Sequence, residues 1–211
     1  ATVDFVGKGT EPHRKGCLMI RQSLDSDSPY VDVVVHADGL TSLQFREEKG
    51  GPTREVQTTV TNPRRLRIDK IGDTAYMLLS GADGPPATTG CSVRLPFAGE
   101  FYLGLGVCAH NADQVETVKF AQVEITSPTT EATAVRSIIE TIPIGSRDRR
   151  AVYHTKDLVE APNWSRDGSA LYYNGGGRIY RLPLAGGAKP ELIGTGSNLR
   201  CNNDHGISPD G

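Results

Sequence analysis

Tyr30-Val31-Asp32-Val33-Val34-Val35-His36 is followed by Ala37-Asp38-Gly39 and then by Leu40-Thr41-Ser42-Leu43-Gln44-Phe45-Arg46. The first run is rich in β-branched residues, which fit a pleated surface. The second alternates, with Thr41, Leu43 and Phe45 on one face and Leu40, Ser42, Gln44 and Arg46 on the other. Asp38-Gly39 between them is a turn signal, because glycine accepts positive φ at little cost. Strand, turn, strand is the local reading.

The same reading repeats outward over residues 1–125. Strand-like runs occupy Lys15 to Ser23, Arg54 to Val60, Arg64 to Ile71, Thr74 to Ser80, Cys91 to Leu95, Phe101 to Ala109 and Glu116 to Ile125. Gly50-Gly51-Pro52, Gly72-Asp73, Gly84-Pro85-Pro86 and Asn111 to Asp113 punctuate them. The 211 residues include 24 Gly and 13 Pro, and no stretch holds a helical period. Many short strands with such punctuation predict an all-β sandwich or barrel. Leu18, Ile20, Leu66, Ile68, Leu103, Leu105 and Val107 are expected to point into its core, with Arg65, Arg67 and Asp69 facing out.

Charge narrows the function classes. Lys+Arg 23 against Asp+Glu 25 leaves a formal net charge of -2. That excludes the broad basic footprint of a general nucleic-acid binder. No apolar run approaches the roughly 18 residues of a membrane span. Cys17, Cys91, Cys108 and Cys201 include no Cys-x-x-Cys pair, so a zinc ribbon or redox motif is not indicated. Small buried thiols are the plain reading; a disulfide is the other, and the sequence does not choose a pair.

Residues 126–134, Thr-Ser-Pro-Thr-Thr-Glu-Ala-Thr-Ala, have the small, polar composition of a linker. They predict a boundary between a sandwich at 1–125 and a second β unit at 135–211. The second part carries an echo: Ser165-Arg166-Asp167-Gly168 returns 43 positions later as Ser208-Pro209-Asp210-Gly211. That period matches a four-stranded propeller blade. Gly175-Gly176-Gly177 and Ala185-Gly186-Gly187 supply further turns. One blade cannot bury both faces of its sheet. Residues 135–211 are therefore expected to begin a propeller, and both ends of the chain are expected to be cut.

Ala161-Pro162-Asn163-Trp164-Ser165-Arg166-Asp167-Gly168, Ile179-Tyr180-Arg181-Leu182-Pro183-Leu184-Ala185-Gly186-Gly187 and Asn202 to Gly211 together resemble the TolB-like β-propeller repeat. Residues 1–125 resemble a concanavalin A-like jelly roll. The carrying stretches are Leu18-Met19-Ile20-Arg21, Val35 to Leu40, Arg65-Leu66-Arg67-Ile68 and Phe101 to His110. The resemblance implies a bacterial envelope protein, periplasmic or secreted, with strands preceding Ala1.

Two polar groups are candidate sites. His36 with Asp38, and His110 with Asn111 and Asp113, stand at strand ends, where sandwiches carry their loops. If those loops converge, they form a glycan site or, through the oxygens of Asp and Asn, a site for Ca²⁺ or another divalent cation. The plainer reading is that they cap their own turns. Asn203, Asp204 and His205 fall where a blade would face a central channel, with Asp204 and His205 as metal candidates; the plainer reading is again loop capping. Trp164 reads as a blade core anchor before a sugar-stacking platform. No Gly-x-Ser-x-Gly elbow is present. The sequence thus predicts a non-catalytic binding protein with a glycan or an envelope protein as partner. The alternative is a polysaccharide-active enzyme resembling oligogalacturonate lyases, with a metal in the channel.

Overall fold

The computed structural model describes residues 1–7, 9–81, 84–127, 137–185, 187–203 and 205–208. The described residues contain strands and no α-helix. Two compact units emerge: Ala1–Ala134 with Thr141–Ala151, and Val135–Glu140 with Val152–Gly211.

In the first unit the strands are β1 (Thr2–Phe5), β2 (Lys15–Arg21), β3 (Tyr30–His36), β4 (Thr41–Arg46), β5 (Arg54–Thr58), β6 (Arg65–Ile71), β7 (Thr74–Ser80), β8 (Ala87–Arg94), β9 (Tyr102–Cys108) and β10 (Val118–Ala121). One sheet has the order β10-β1-β6-β7-β8. In the other, β5-β4-β3-β2-β9 run antiparallel in succession. Arg149–Ala151, the start of β12 (Arg149–Thr155), lies parallel to β5 and extends that sheet. The sheets face each other across a shared apolar layer. Val3, Leu66, Met77 and Leu79 from the first meet Ile20, Val31, Val33, Leu43 and Val56 from the second. The Asp38-Gly39 turn joins β3 and β4 as read: Gly39 has φ 94° and its N–H donates to the His36 carbonyl.

Strand β9 departs from expectation. Leu18 pairs with Leu105 and Ile20 with Leu103, so Leu103, Leu105 and Val107 face the inter-sheet side. Yet they are 51%, 49% and 47% exposed. Their direction follows from alternation, but the opposite sheet does not extend over them. Burial needs a partner layer, which no strand's own pattern reveals. Asp69 differs too: it lies on the outward face but is buried, held by the Arg67 guanidinium at 2.7 Å.

The second unit contains β11 (Ser137–Thr141, through Glu140), the rest of β12, and a four-stranded antiparallel sheet of β13 (Glu160–Trp164), β14 (Ala170–Gly175), β15 (Arg178–Pro183) and β16 (Glu191–Leu192). Ile139, Leu171, Tyr173 and Leu182 form its core, with Tyr153 and Tyr180 stacked on either side of Tyr173. Trp164, expected as a core anchor, is 54% exposed on the edge strand β13. None of the four cysteines is joined in a disulfide, and Cys17 and Cys91 are buried.

Candidate functional site

The outward face of the second sheet is where polar side chains meet. Alternation puts Tyr30, Asp32, Val34 and His36 of β3 on that face. Register places His36 beside Lys15 and Asp32 beside Gln44, and Gln44 in turn beside Glu55. A hydrogen-bonded row follows: Lys15 Nζ donates to Gln44 Oε1 at 3.3 Å, Gln44 Nε2 to Glu55 Oε2 at 3.4 Å, and Gln57 Nε2 to Glu55 Oε1 at 2.6 Å. Asp148 Oδ1 accepts from the Glu55 N–H at 3.0 Å.

At one end of the row is an open pocket of about 360 Å³. Lys15, His36, Gln44 and Glu55 belong to its sheet wall, while His13 comes from the loop before β2 and His110 from the loop after β9. The His13 ring is 5.7 Å from that of His36, edge to face, and 6.1 Å from that of His110. His110 reaches its position through a left-handed backbone, φ 56°. The β3 end, the β9 end and the approach to β2 therefore deliver their imidazoles to one rim.

Electrostatics separate these groups. His36 is 5% exposed, and neither ring nitrogen has a hydrogen-bond partner. Burial, seconded by the Lys15 charge, pulls it down to about 4, against the opposing pull of Asp38 and Glu55. At neutral pH it is an uncharged imidazole with one donor and one acceptor unspent. Asp32 is also buried, and burial pushes its carboxyl up to about 7 despite Lys15 and a hydrogen bond with the Cys17 thiol. Burial, then the Asp32 charge, push the Cys17 thiol up. Gly106 of β9 lies directly over it: a Cβ there would stand 2.6 Å from Cys17 Sγ.

The expected residues distribute unevenly. His36 and His110 share the pocket. Asp38 lies 4.0 Å from His13 Nδ1, and its Oδ1 accepts from the Leu40 N–H, a turn-capping bond. Asn111 Oδ1 likewise accepts from the Asp113 N–H, and both residues are exposed. Neither Asn111 nor Asp113 lines the pocket. Asp38 Oδ1 and Asn111 Oδ1 are thus turned to their own backbone. Among the described residues, no three His, Cys, Asp or Glu are arranged to hold a metal ion.

The second expected group is apart. Asn203 is exposed, and Asp204 lies outside the described residues. His205 Nδ1 lies 3.2 Å from the Asn202 carbonyl, and the His205 carbonyl accepts from Asn163 Nδ2 at 3.3 Å. The stretch is thereby fastened to β13. His13, Lys15, Gln44 and Glu55 went unread in the sequence. The alternation placed Gln44 on the polar face, but only register could join it to His36, and nothing local marked His13.

Comparison with known proteins adds one relative. An uncharacterized protein of Agrobacterium fabrum is 54% identical over 78 residues, covering 37% of this chain and 27% of the relative. The chain thus spans about a quarter of that relative's length. No protein-family model matches the chain. No solved structure matches it.

Proposed function

We propose that the first unit is a non-catalytic binding module for a hydroxyl-rich ligand of glycan type, received in the pocket of His13, His36 and His110. The observation that carries this reading is His36. A buried imidazole with both nitrogens unpartnered is costly, and ligand hydroxyls offsetting that cost are the natural complement. Lys15, Gln44 and Glu55 add donors and acceptors on the same wall. Sugars present hydroxyls that both donate and accept, which suits this mixed set. The pocket falls within the size range of small-ligand sites.

A periplasmic or secreted setting, with an envelope glycan or protein as partner, belongs to the same proposal. It rests on the resemblance to TolB-like and concanavalin A-like domains. A lyase-like activity has less support, because it needs Asp204 and His205 to converge on a metal.

Calorimetric titration of the chain with a panel of neutral and uronic-acid oligosaccharides tests the reading. His36→Phe keeps a planar ring at the position and deletes both nitrogens; it should weaken binding at least tenfold, and so should Lys15→Ala, with circular dichroism checking that each variant is folded. Binding that neither substitution changes would remove the site from this pocket.

A further inference from the structure

In the pocket of His13, His36 and His110, the hydrogen-bonding groups of the wall do not balance. Its two acids, Glu55 and Asp148, are engaged inside the wall. Glu55 Oε1 accepts from Gln57 Nε2 at 2.6 Å, and Glu55 Oε2 from Gln44 Nε2 at 3.4 Å. Asp148 Oδ1 accepts from the Glu55 N–H at 3.0 Å, and Asp148 Oδ2 from Ser146 Oγ at 3.2 Å. Every carboxylate oxygen of the pair thus holds an internal donor.

The cations of the same pocket, Lys15 and Arg54, are not engaged in this way. Lys15 is half-buried, and its Nζ spends a single proton, on the neutral Gln44 Oε1 at 3.3 Å. Among the described residues it is in no ion pair. The Arg54 side chain is 23% exposed, and its guanidinium makes no hydrogen bond among the described residues. Its ion pair with Glu47 is long, 3.8 Å, and that acid is 57% exposed. His36 stands on the same wall with both ring nitrogens unpartnered, and in either neutral tautomer one of them donates. The unspent capacity of the pocket is therefore mostly donor, on groups that burial has stripped of part of their water. A sugar hydroxyl brings a donor along with its acceptors. An oxyanion brings acceptors alone, together with the charge that Lys15 lacks opposite it.

We propose, resting on the binding-module reading above, that the glycan-type ligand of this pocket is acidic, and that its carboxylate or sulfate group is held by Lys15 and Arg54 with His36 donating to it. Lys15 supplies a point charge, and Arg54 a planar fork suited to two oxygens of one group. Partly desolvated cations gain most from such a partner, since a charge-assisted hydrogen bond is roughly twice as strong as a neutral one. Glu55 and Asp148 set the orientation. They keep their charge although their oxygens are engaged, so they hold the acidic group to the Lys15 side of the wall. Hydroxyls of the same ligand donate to their remaining lone pairs.

The test follows the His36 ring nitrogens and the Lys15 ammonium by NMR at low salt while the chain is titrated with glucose, glucuronate, glucose 6-sulfate and inorganic sulfate. At least one of the two sugar acids should shift these signals saturably and bind at least tenfold more tightly than glucose. Which acid does so tells carboxylate from sulfate. The advantage should shrink as salt is raised. Lys15→Gln should bring the ratio of acid to neutral affinity close to one, and Lys15→Arg should keep it. Glu55→Gln should raise that ratio, a change that lost packing would not produce. Glucose binding as tightly as both acids, or a ratio that Lys15→Gln leaves unchanged, overturns the proposal and leaves the glycan reading standing. Inorganic sulfate binding as tightly as glucose 6-sulfate overturns the glycan reading and leaves the anion site. No shift with any of the four compounds overturns both.

Discussion

His36 and Asp32 sit four residues apart on one face of β3, and burial shifts them in ways that oppose each other in pH. His36 falls to about 4 from its ordinary 6.5, so below pH 6.5 the unfolded chain binds the proton that the folded chain refuses. Its contribution to stability is full above 6.5 and is lost as pH falls toward 4, by roughly 2–3 kcal/mol. Asp32 rises to about 7 from 3.8, so between those values the folded chain holds a proton that the unfolded chain releases. Stability therefore falls as pH rises through that window. Across the shared range the slopes nearly cancel. Asp32→Asn should expose the His36 slope, with stability rising from pH 4 to 6.5. His36→Phe should expose the reverse. Denaturant midpoints measured at several pH values check both, and parallel curves for the two variants would contradict the assignment. The sequence showed His36 at a strand end; it did not show that Lys15 and Gln44 would wall it in, because those neighbours come from register.

At the level of elements, the turn joining β13 and β14 shows what a short motif can do alone. Ser165 Oγ donates to Asp167 Oδ1 at 2.7 Å and accepts from the Ala170 N–H at 2.9 Å. Asp167 Oδ1 also accepts from the Ser169 N–H at 3.0 Å. These bonds, Ser165 first and then Ser169, hold the Asp167 carboxyl down at about 2. Gly168 completes the turn with φ 69°. Ser-x-Asp-Gly is therefore legible in sequence because each of its bonds is local. Gly168→Ala should destabilise the second unit by about 1 kcal/mol, since an L side chain strains at positive φ. Asp167→Asn should leave neutral-pH structure intact but remove the stability that the wild type loses as pH falls from 3.8 through 2. Amide exchange in β13 and β14 reports both. Strand β9 is the opposite case: its alternation was legible, yet the partner that decides burial lies in another sheet.

For the whole molecule, two units with separate apolar cores imply separable stabilities. Leu182 is 1% exposed in the core of the second unit, while Leu66 is fully buried in that of the first. Each truncation to Ala should cost about 2–5 kcal/mol within its own unit. Leu182→Ala should lower protection in β14 and β15 while leaving β3 and β4 unchanged, and Leu66→Ala should do the reverse; exchange mass spectrometry separates them. Loss of protection throughout the chain in either variant would mean one cooperative unit. By itself, the sequence determined the all-β class, the Asp38-Gly39 and Ser165–Gly168 turns, and which side chains share a face, because turn chemistry and the two-residue period act over a few residues. Tertiary structure alone decided that His13 joins His36 and His110, that Arg149–Ala151 extend the sheet of β5, and that Leu103 and Leu105 are left half exposed. Those outcomes depend on register and on which layer lies opposite, quantities carried by residues far apart in the chain.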